Sequence, residues 1–577
     1  INVWGRGNLN DKQAKLDHFP PLTLIGMRLV FSVLACILAM LLSFRPLTLS
    51  TAIKSVRSRT LGIATSIHAE LRTFSDHPAG ELLGSAPDFS RCTRSDVDTY
   101  RLIRICDDQE KLEYTFGLLM NIVRQPYLGH LVKKIEYIHR ANNVKGYPEL
   151  PYQRKLAVDD MQLLKRAVGN AGFQDKRLQR VMGMLMQNDL DQDLGYTTSE
   201  NRRVSDYETA PTYITQAIAA IIVSMAPNLE SMAMTQIFDY HSDLQPGQEE
   251  TEEYPLVEVF RYANSRPQGA RFLQKLRDMY LINHARHSDS RYFADTDLIA
   301  CLELFNNLPS IESLGIDILE SNEDNGKQTC EEKSSNISKI KINHSSLDAS
   351  YLLCVMASSK ILTELQFTTG GRSALDGTSF FSPKAFLKGL SEHTKTLKVL
   401  DLDIEDLTIG YPGQPQPYST INWDEAGGPG DYELDEYDDS DEDSADLAKH
   451  RRLLSIWDRN VALKDFKVLE SLSINIGFLI YFAQGVETDD LQRASIVLAD
   501  CLPDHLRSLS IRGYKKGENK MYDKQVDALM ARFEAGLSRL DEIKGVSELI
   551  PNGRAVENPG RNEHSLWSLE ELGYPEW

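Results

Sequence analysis

The amino-acid sequence predicts an α/β fold in which helix-strand units follow one another in an open array, with a small N-terminal helical region ahead of it. Three observations predict this. An apolar hexad of the form Φ-x-x-Φ-x-Φ recurs eight times, starting at Val132, Leu229, Ile311, Ile337, Leu362, Leu397, Leu469 and Leu506. An apolar, helix-like stretch precedes most copies. Pro227, Pro309 and Pro503 stand just before three of them, where a turn delivers the chain to a strand. Within each hexad the last two apolar positions alternate, as a half-buried strand requires.

One such hexad is common in any α/β protein, whereas eight describe the strand portion of a leucine-rich repeat. The copies at 311, 337, 362 and 397 are spaced by 26, 25 and 35 residues, and those at 469 and 506 by 37. The compact spacings suit a helix-plus-strand unit. The gaps of 97, 82 and 72 residues that follow 132, 229 and 397 do not. The predicted fold is therefore an irregular leucine-rich-repeat-like solenoid with large insertions or unrecognised units.

Taken in order, residues 1–21 are a polar lead-in ending in Phe19-Pro20-Pro21. Residues 22–75 are an apolar helical region. Within it, 29–44 is sixteen residues without a charge, flanked by Arg28 and Arg45, and a membrane helix, a signal segment and a buried helix all remain open readings. Residues 76–110, with Pro78, Gly80, Gly84 and Pro87, read as a linker.

The array is expected over 111–407. It opens on a helix at 111–125 whose Leu112, Phe116, Leu119, Ile122 and Val123 share one face. A helical pair at 161–186, broken near Gly169 and Gly172, and a strongly apolar helix at 212–225 follow. Helix-like segments are expected at 255–263, 269–282 and 296–307, and a polar linker at 320–335. Residues 408–446 form an insertion in which 424–446 holds twelve Asp or Glu and no Lys or Arg. Such self-repelling sequence buries too little apolar surface to offset the entropy of ordering and is expected to be disordered. Further array units at 447–550, including a helix at 522–533, and a tail at 551–577 complete the chain.

The chain has 577 residues, 42% of them hydrophobic and 25% charged, a globular composition. Its net charge of -20 argues against a phosphate-reading surface, so no nucleic-acid partner is expected. Seven scattered cysteines without a C-x-x-C suggest neither a zinc site nor a disulfide scaffold. Hydrolase, zinc-protease and P-loop signatures are missing from the sequence, so no catalytic, cofactor-binding or metal-binding residue is assigned. Asp189-x-Asp191-x-Asp193 with Glu200 imitates a calcium loop. Leu194, however, stands where the sharp turn needs glycine, and Gly195 comes one residue late.

The run Leu502-Pro503-Asp504-His505-Leu506-Arg507-Ser508-Leu509-Ser510-Ile511-Arg512-Gly513 and the stretch around Ile543 resemble the last repeat and closing strand of the fungal F-box and leucine-rich-repeat-like proteins. Residues 116–137 are similar to the segment that follows the F-box in that family. Residues 37–65 resemble a degenerate F-box itself. The resemblance implies that Leu38, Leu41, Leu42, Phe44, Leu47, Val56 and Ile63 bind a Skp-type adaptor. It further implies a non-enzymatic protein-interaction scaffold, the substrate-recognition adaptor of a cullin-RING ubiquitin ligase, in the cytoplasm or nucleus. A membrane-anchored or secreted repeat protein, held through 22–44, and an enzyme without a recognisable motif are the alternatives.

Overall fold

The computed structural model describes residues 92–106, 109–138, 154–187, 210–237, 254–283, 294–320, 331–347, 349–369, 383–404, 459, 461–485 and 497–552. All of them belong to the second of the two units into which the chain divides, which starts at Arg91. The lead-in, the region 22–75 with its F-box positions, the calcium-like loop and the acidic insertion 408–446 lie outside the described residues.

Eleven strands form one sheet. They are β1 (Leu102–Cys106), β2 (Lys134–Ile138), β3 (Ser231–Thr235), β4 (Asp278–Ile282), β5 (Ser313–Asp317) and β6 (Lys339–Ser345). After these come β7 (Glu364–Thr369), β8 (Val399–Asp403), β9 (Ser471–Asn475), β10 (Ser508–Arg512) and β11 (Glu542–Lys544). Neighbours in the sheet are neighbours in the chain, and every pairing is parallel. Parallel strands need a crossover of a dozen residues or more, which is why the spacing between hexads never falls below that.

The hexads set the register. Ile103, Ile135, Met232, Met279, Leu314, Ile340, Leu365, Leu400, Leu472, Leu509 and Ile543 pair consecutively across the whole sheet. From Ile103 to Leu509 none is more than 2% exposed. Burying each aliphatic side chain stabilises the fold by roughly 1.5–3 kcal/mol. The four hexads at 311, 337, 362 and 397 thus occupy adjacent parallel strands of one sheet, as their shared pattern predicts.

Crossover helices cover the hexad face. Helices α1 (Arg94–Tyr100) and α2 (Gln109–Arg124) flank β1. Thr93 and Asp96 start α1 with reciprocal bonds, Asp96 N–H to Thr93 Oγ1 at 3.1 Å and Thr93 N–H to Asp96 Oδ2 at 2.8 Å. The bonds from Thr93 hold the Asp96 carboxyl below the usual range.

The long gap after β2 contains α3 (Val158–Asn170), α4 (Asp175–Met186) and α5 (Ala210–Ser224). α3 and α4 pack on each other and on α5, and α5 packs on α2 and on α6 (Pro255–Ser265). Every side chain from Thr212 to Val223 is consequently buried, which explains a helix that is apolar on all sides.

Beyond α7 (Leu298–Glu303), α8 (Ala349–Ser358) packs on α9 (Pro383–Leu390). α10 (Ile476–Gln484) packs on α11 (Leu498–Cys501), and α11 on α12 (Lys520–Glu534). Among the described residues no helix is long and apolar enough to cross a membrane.

Two expectations are corrected. The stretch 76–110, read as a linker from its Pro and Gly, carries α1 and β1 at its described end, where Tyr100-x-x-Ile103-x-Ile105 is a further hexad with an aromatic first position. The helix-like segment 269–282 ends in β4, because Leu276-x-x-Met279-x-Leu281 is another hexad, missed among basic and aromatic residues. The polar linker 320–335 is tied to the array at both described ends, Glu320 by a parallel bridge to Ser346 and Ser335 by one to Ser359. Cys92, Cys301 and Cys501 are free thiols, whereas Cys354 on α8 is disulfide-bonded.

The C-terminal edge is closed by a turn at Gly545, where φ is +83° and an added Cβ would lie 1.8 Å from the Ile511 carbonyl oxygen. The chain then returns so that the Gly513 N–H donates to Ile550 O at 2.8 Å.

Two substitutions test this architecture. Leu365→Ala should cost about 2–5 kcal/mol by chemical denaturation, through lost transfer energy and a residual cavity. Gln366→Ala, on the opposite face of the same strand, should stay within about 0.5 kcal/mol of the parent. Gly545→Ala should accelerate amide hydrogen exchange at Gly513 while leaving β2–β6 protected, because the strain falls on the terminal turn alone.

Candidate interaction surface

The positions that alternate with the hexad residues face away from the helices, and they divide the sheet in two. Over β1–β4 this face carries a buried apolar cluster, Cys106, Ile138, Ala233, Tyr280 and Ile282, next to an ion pair in which Arg104 Nε on β1 donates to Glu136 Oε2 on β2 at 2.6 Å. From β5 onward the equivalent C-terminal row reads Asp317, Asn343, Thr368, Asp403, Asn475 and Arg512. The middle row reads Lys341, Gln366, Asp401, Ser473 and Ser510, all half-buried.

Arg512 knits the far part of this face together. From β10 its Nε donates to Ser473 Oγ on β9 at 3.0 Å and its Nη2 to Asp401 Oδ1 on β8 at 3.1 Å. Its Nη1 lies 3.5 Å from Asp403 Oδ2. One guanidinium thus serves two carboxylates, a geometry its planar fork permits and a lysine's point charge does not. On β9, Asn475 accepts from the Ile404 N–H at 3.3 Å and returns Nδ2 to Ile404 O at 3.1 Å, fixing the chain as it leaves β8.

The boundary between the two halves is a buried polar network. The Tyr280 hydroxyl on β4 donates to Asp317 Oδ2 on β5, and Asn283 Nδ2 donates to Asp317 O at 2.7 Å. Thr296 Oγ1 donates to Asn283 Oδ1. Burial first, then the Asp317 charge and hydrogen bond, push the Tyr280 hydroxyl far above its ordinary range. His344 Nδ1 lies 3.9 Å from Asp317 Oδ1.

Just past this network Ile318 and His344 both adopt left-handed backbone, with φ of +55° and +46°. For a β-branched residue that conformation is strained by roughly 1–3 kcal/mol. Matched bonds hold it: the Ile318 N–H donates to Asn343 O at 2.9 Å, and the His344 N–H to Thr368 Oγ1 at 2.8 Å. The β6–β7 register shifts at this point, between Ile342 and Ser345. The two chains leave the main sheet together, so that Leu319–Glu320 pairs with Ala294–Asp295.

In comparison with known proteins, no family model matches the chain and no curated sequence is significantly similar to it.

A cavity between α6, α7 and the start of β6, about 210 Å³, is lined by Asn264, Glu303, Asn306, Ser335 and Ser358 among others. Asn264 spans it, donating to Asn306 Oδ1 at 2.8 Å and to Glu303 O at 2.7 Å, so its polar groups serve the turns around it. Burial and the Asp297 charge raise the Glu303 carboxyl. The Cys301 thiol and Tyr351 hydroxyl are pushed well up, chiefly by burial and then by Asp297, which caps α7 by accepting from the Ala300 N–H at 2.8 Å. Among the described residues no group of three or more His, Cys, Asp or Glu is placed to hold a metal ion.

The seven F-box positions from Leu38 to Ile63 lie outside the described residues. Sequence reasoning passed over Tyr280, Asp317, Asp401, Asp403 and Arg512. Their signal was available, since each occupies an x position of a hexad or the position directly after one.

Tyr280→Phe should destabilise the fold by about 1–3 kcal/mol at neutral pH by leaving the Asp317 carboxylate without its donor. Because the folded state raises the Tyr280 pKa, its stabilising contribution is complete below the unfolded value of about 10 and is lost as pH rises beyond it. The difference between parent and variant should therefore shrink above that pH in denaturation curves followed by circular dichroism.

Proposed function

We propose that the protein is a non-enzymatic interaction scaffold, an irregular leucine-rich-repeat-like solenoid whose open sheet face over β5–β10 receives a protein partner. The observation that carries this reading is the face itself: strands in strict chain order, apolar and buried on the hexad side and polar on the other, where the middle row from Lys341 to Ser510 is half-exposed. In open α/β sheets that bind nucleotides, both faces are covered and strand order reverses at the crevice that holds the ligand. The order β1 to β11 has no such reversal. The half-exposed Lys341, Gln366, Asp401, Ser473, Ser510 and Arg512 make a strip suited to reading another protein's surface, with specificity set by which residue occupies each rung.

Together with the resemblance in residues 37–65 and 502–513, this makes a substrate-recognition adaptor of a cullin-RING ubiquitin ligase the preferred role. In that role the F-box-like positions hold a Skp-type adaptor and the open face holds the substrate. Leu42→Ala with Phe44→Ala in the full chain should abolish co-purification with a Skp-type adaptor while the melting temperature of the array is unchanged, because separate units unfold separately. Retention of the adaptor by that double variant, or failure of the parent chain to bind it at all, would sink the ligase role and leave the scaffold alone.

A further inference from the structure

Against a net charge of -20, the N-terminal ends of the first four strands are basic. Arg101, Lys133, Glu230 and Arg277 are successive rungs of the hydrogen-bonded row that precedes the strands. One position further on, Lys134 pairs with Ser231 and Ser231 with Asp278. Lys275 joins the same group. Its Nζ donates to Asn228 Oδ1 at 2.8 Å, and the Asn228 amide is itself fixed by donating to His130 O at 2.9 Å. Burial and the neighbouring Lys133 charge hold the Lys275 ammonium below its ordinary range. Five basic side chains therefore stand with two acidic ones, Glu230 and Asp278, and the rung after Arg277 is Glu312, paired with Lys339 at 2.6 Å. Glu230 is already shared, by Lys133 in a short ion pair and by Arg277 at 3.9 Å. Lys134 and Arg277 remain exposed.

We propose that this rim docks an acidic segment of a partner protein. Lys134 on β2 and the Arg277 rung before β4 are two strand spacings apart, about 10 Å. That matches carboxylates three residues apart on a segment in the polyproline II conformation running across the strands, whose three residues per turn at roughly 3.1 Å each put them on one side. Glu230 sits on the rung between them and would repel a uniformly charged polyanion such as RNA, whereas a peptide can set a neutral residue opposite it. The rim is distinct from the open face over β5–β10, and the proposal does not rest on the adaptor role.

Fluorescence anisotropy of a labelled peptide of repeating Glu-Ser-Ser, titrated with the full chain at low and physiological salt, tests it. Binding should weaken with salt, since the Debye length falls to about 8 Å at physiological strength. K134E/R277E should weaken it by about tenfold or more, while R512Q on the open face should leave it within about twofold. The neutral K134Q/R277Q, expected near threefold, together with unchanged melting temperatures, separates lost docking from lost folding. Three results would overturn the proposal: binding indifferent to the rim variants, an oligouridylate of equal length competing as well as the peptide, or peptide binding that appears only after deletion of 424–446. The last would assign the rim to the chain's own acidic insertion.

Discussion

The backbone hydrogen bond that joins the second position of each hexad to the second position of the next is the interaction on which the structure depends. It runs without a break from Lys133 N–H to Arg101 O, through Glu230, Arg277, Glu312, Ser338, Thr363, Lys398, Glu470 and Arg507, to Asp541 N–H on Arg507 O, at 2.7–3.1 Å. Each bond fixes the register of one strand before the strand begins. A slip by one residue at any rung would turn a Leu or Ile out of the helix-covered face and set Lys, Asp or Ser in its place. The side chains on this row also alternate in sign over two stretches, Lys133–Glu230–Arg277–Glu312 and Lys398–Glu470–Arg507–Asp541. Each exposed pair is worth little in stability, but like charges on neighbouring rungs would penalise the wrong register.

A fixed register explains how the array tolerates gaps as different as those after β5 and β2. Each strand contacts only its neighbours, so anything between two strands is accepted provided the chain returns to the next rung. After β2 the excursion brings α3 and α4, which make a second layer over α5. Arg154 supports that layer, lying 4.0 Å over the Phe116 ring and donating to Glu113 Oε1 at 2.6 Å. At the ends of β5 and β6 the excursion begins instead in two left-handed residues, Ile318 and His344, the second at a register shift, whose N–H groups are held by bonds to Asn343 O and Thr368 Oγ1.

The hexad residues and their partners on the other face answer to different constraints. The hexad face is apolar and buried on every rung from Ile103 to Leu509. The other face changes from Cys106, Ile138 and Ile282 to Asp317, Asn343 and Asp403 within a single row. That change places Tyr280 and Asp317 at the junction, where the phenol, whose ring is buried with the apolar cluster, meets the first carboxylate of the polar strip. A buried carboxylate is tolerable there because a hydroxyl is aimed at it.

Much of the fold was legible because the helix-covered face writes a short-range pattern. Eight of the eleven strand hexads stood out by their internal apolar pattern, as did α2, α3, α4, α5 and α12, whose apolar periodicity is local. Leu276–Leu281 and Tyr100–Ile105 escaped because Arg101, Arg104, Arg277 and Asp278 break the look of an apolar run, although they occupy the x positions where polarity carries no penalty. The sequence by itself determined which residues face the helices and that consecutive units stack, since periodicity and burial are properties of neighbours along the chain. Only the tertiary structure decided which x positions meet. Arg512 finds Asp401 and Asp403 across an insertion of dozens of residues, and Tyr280 finds Asp317 across a crossover. Such pairings depend on the count of rungs between them, which no local pattern encodes.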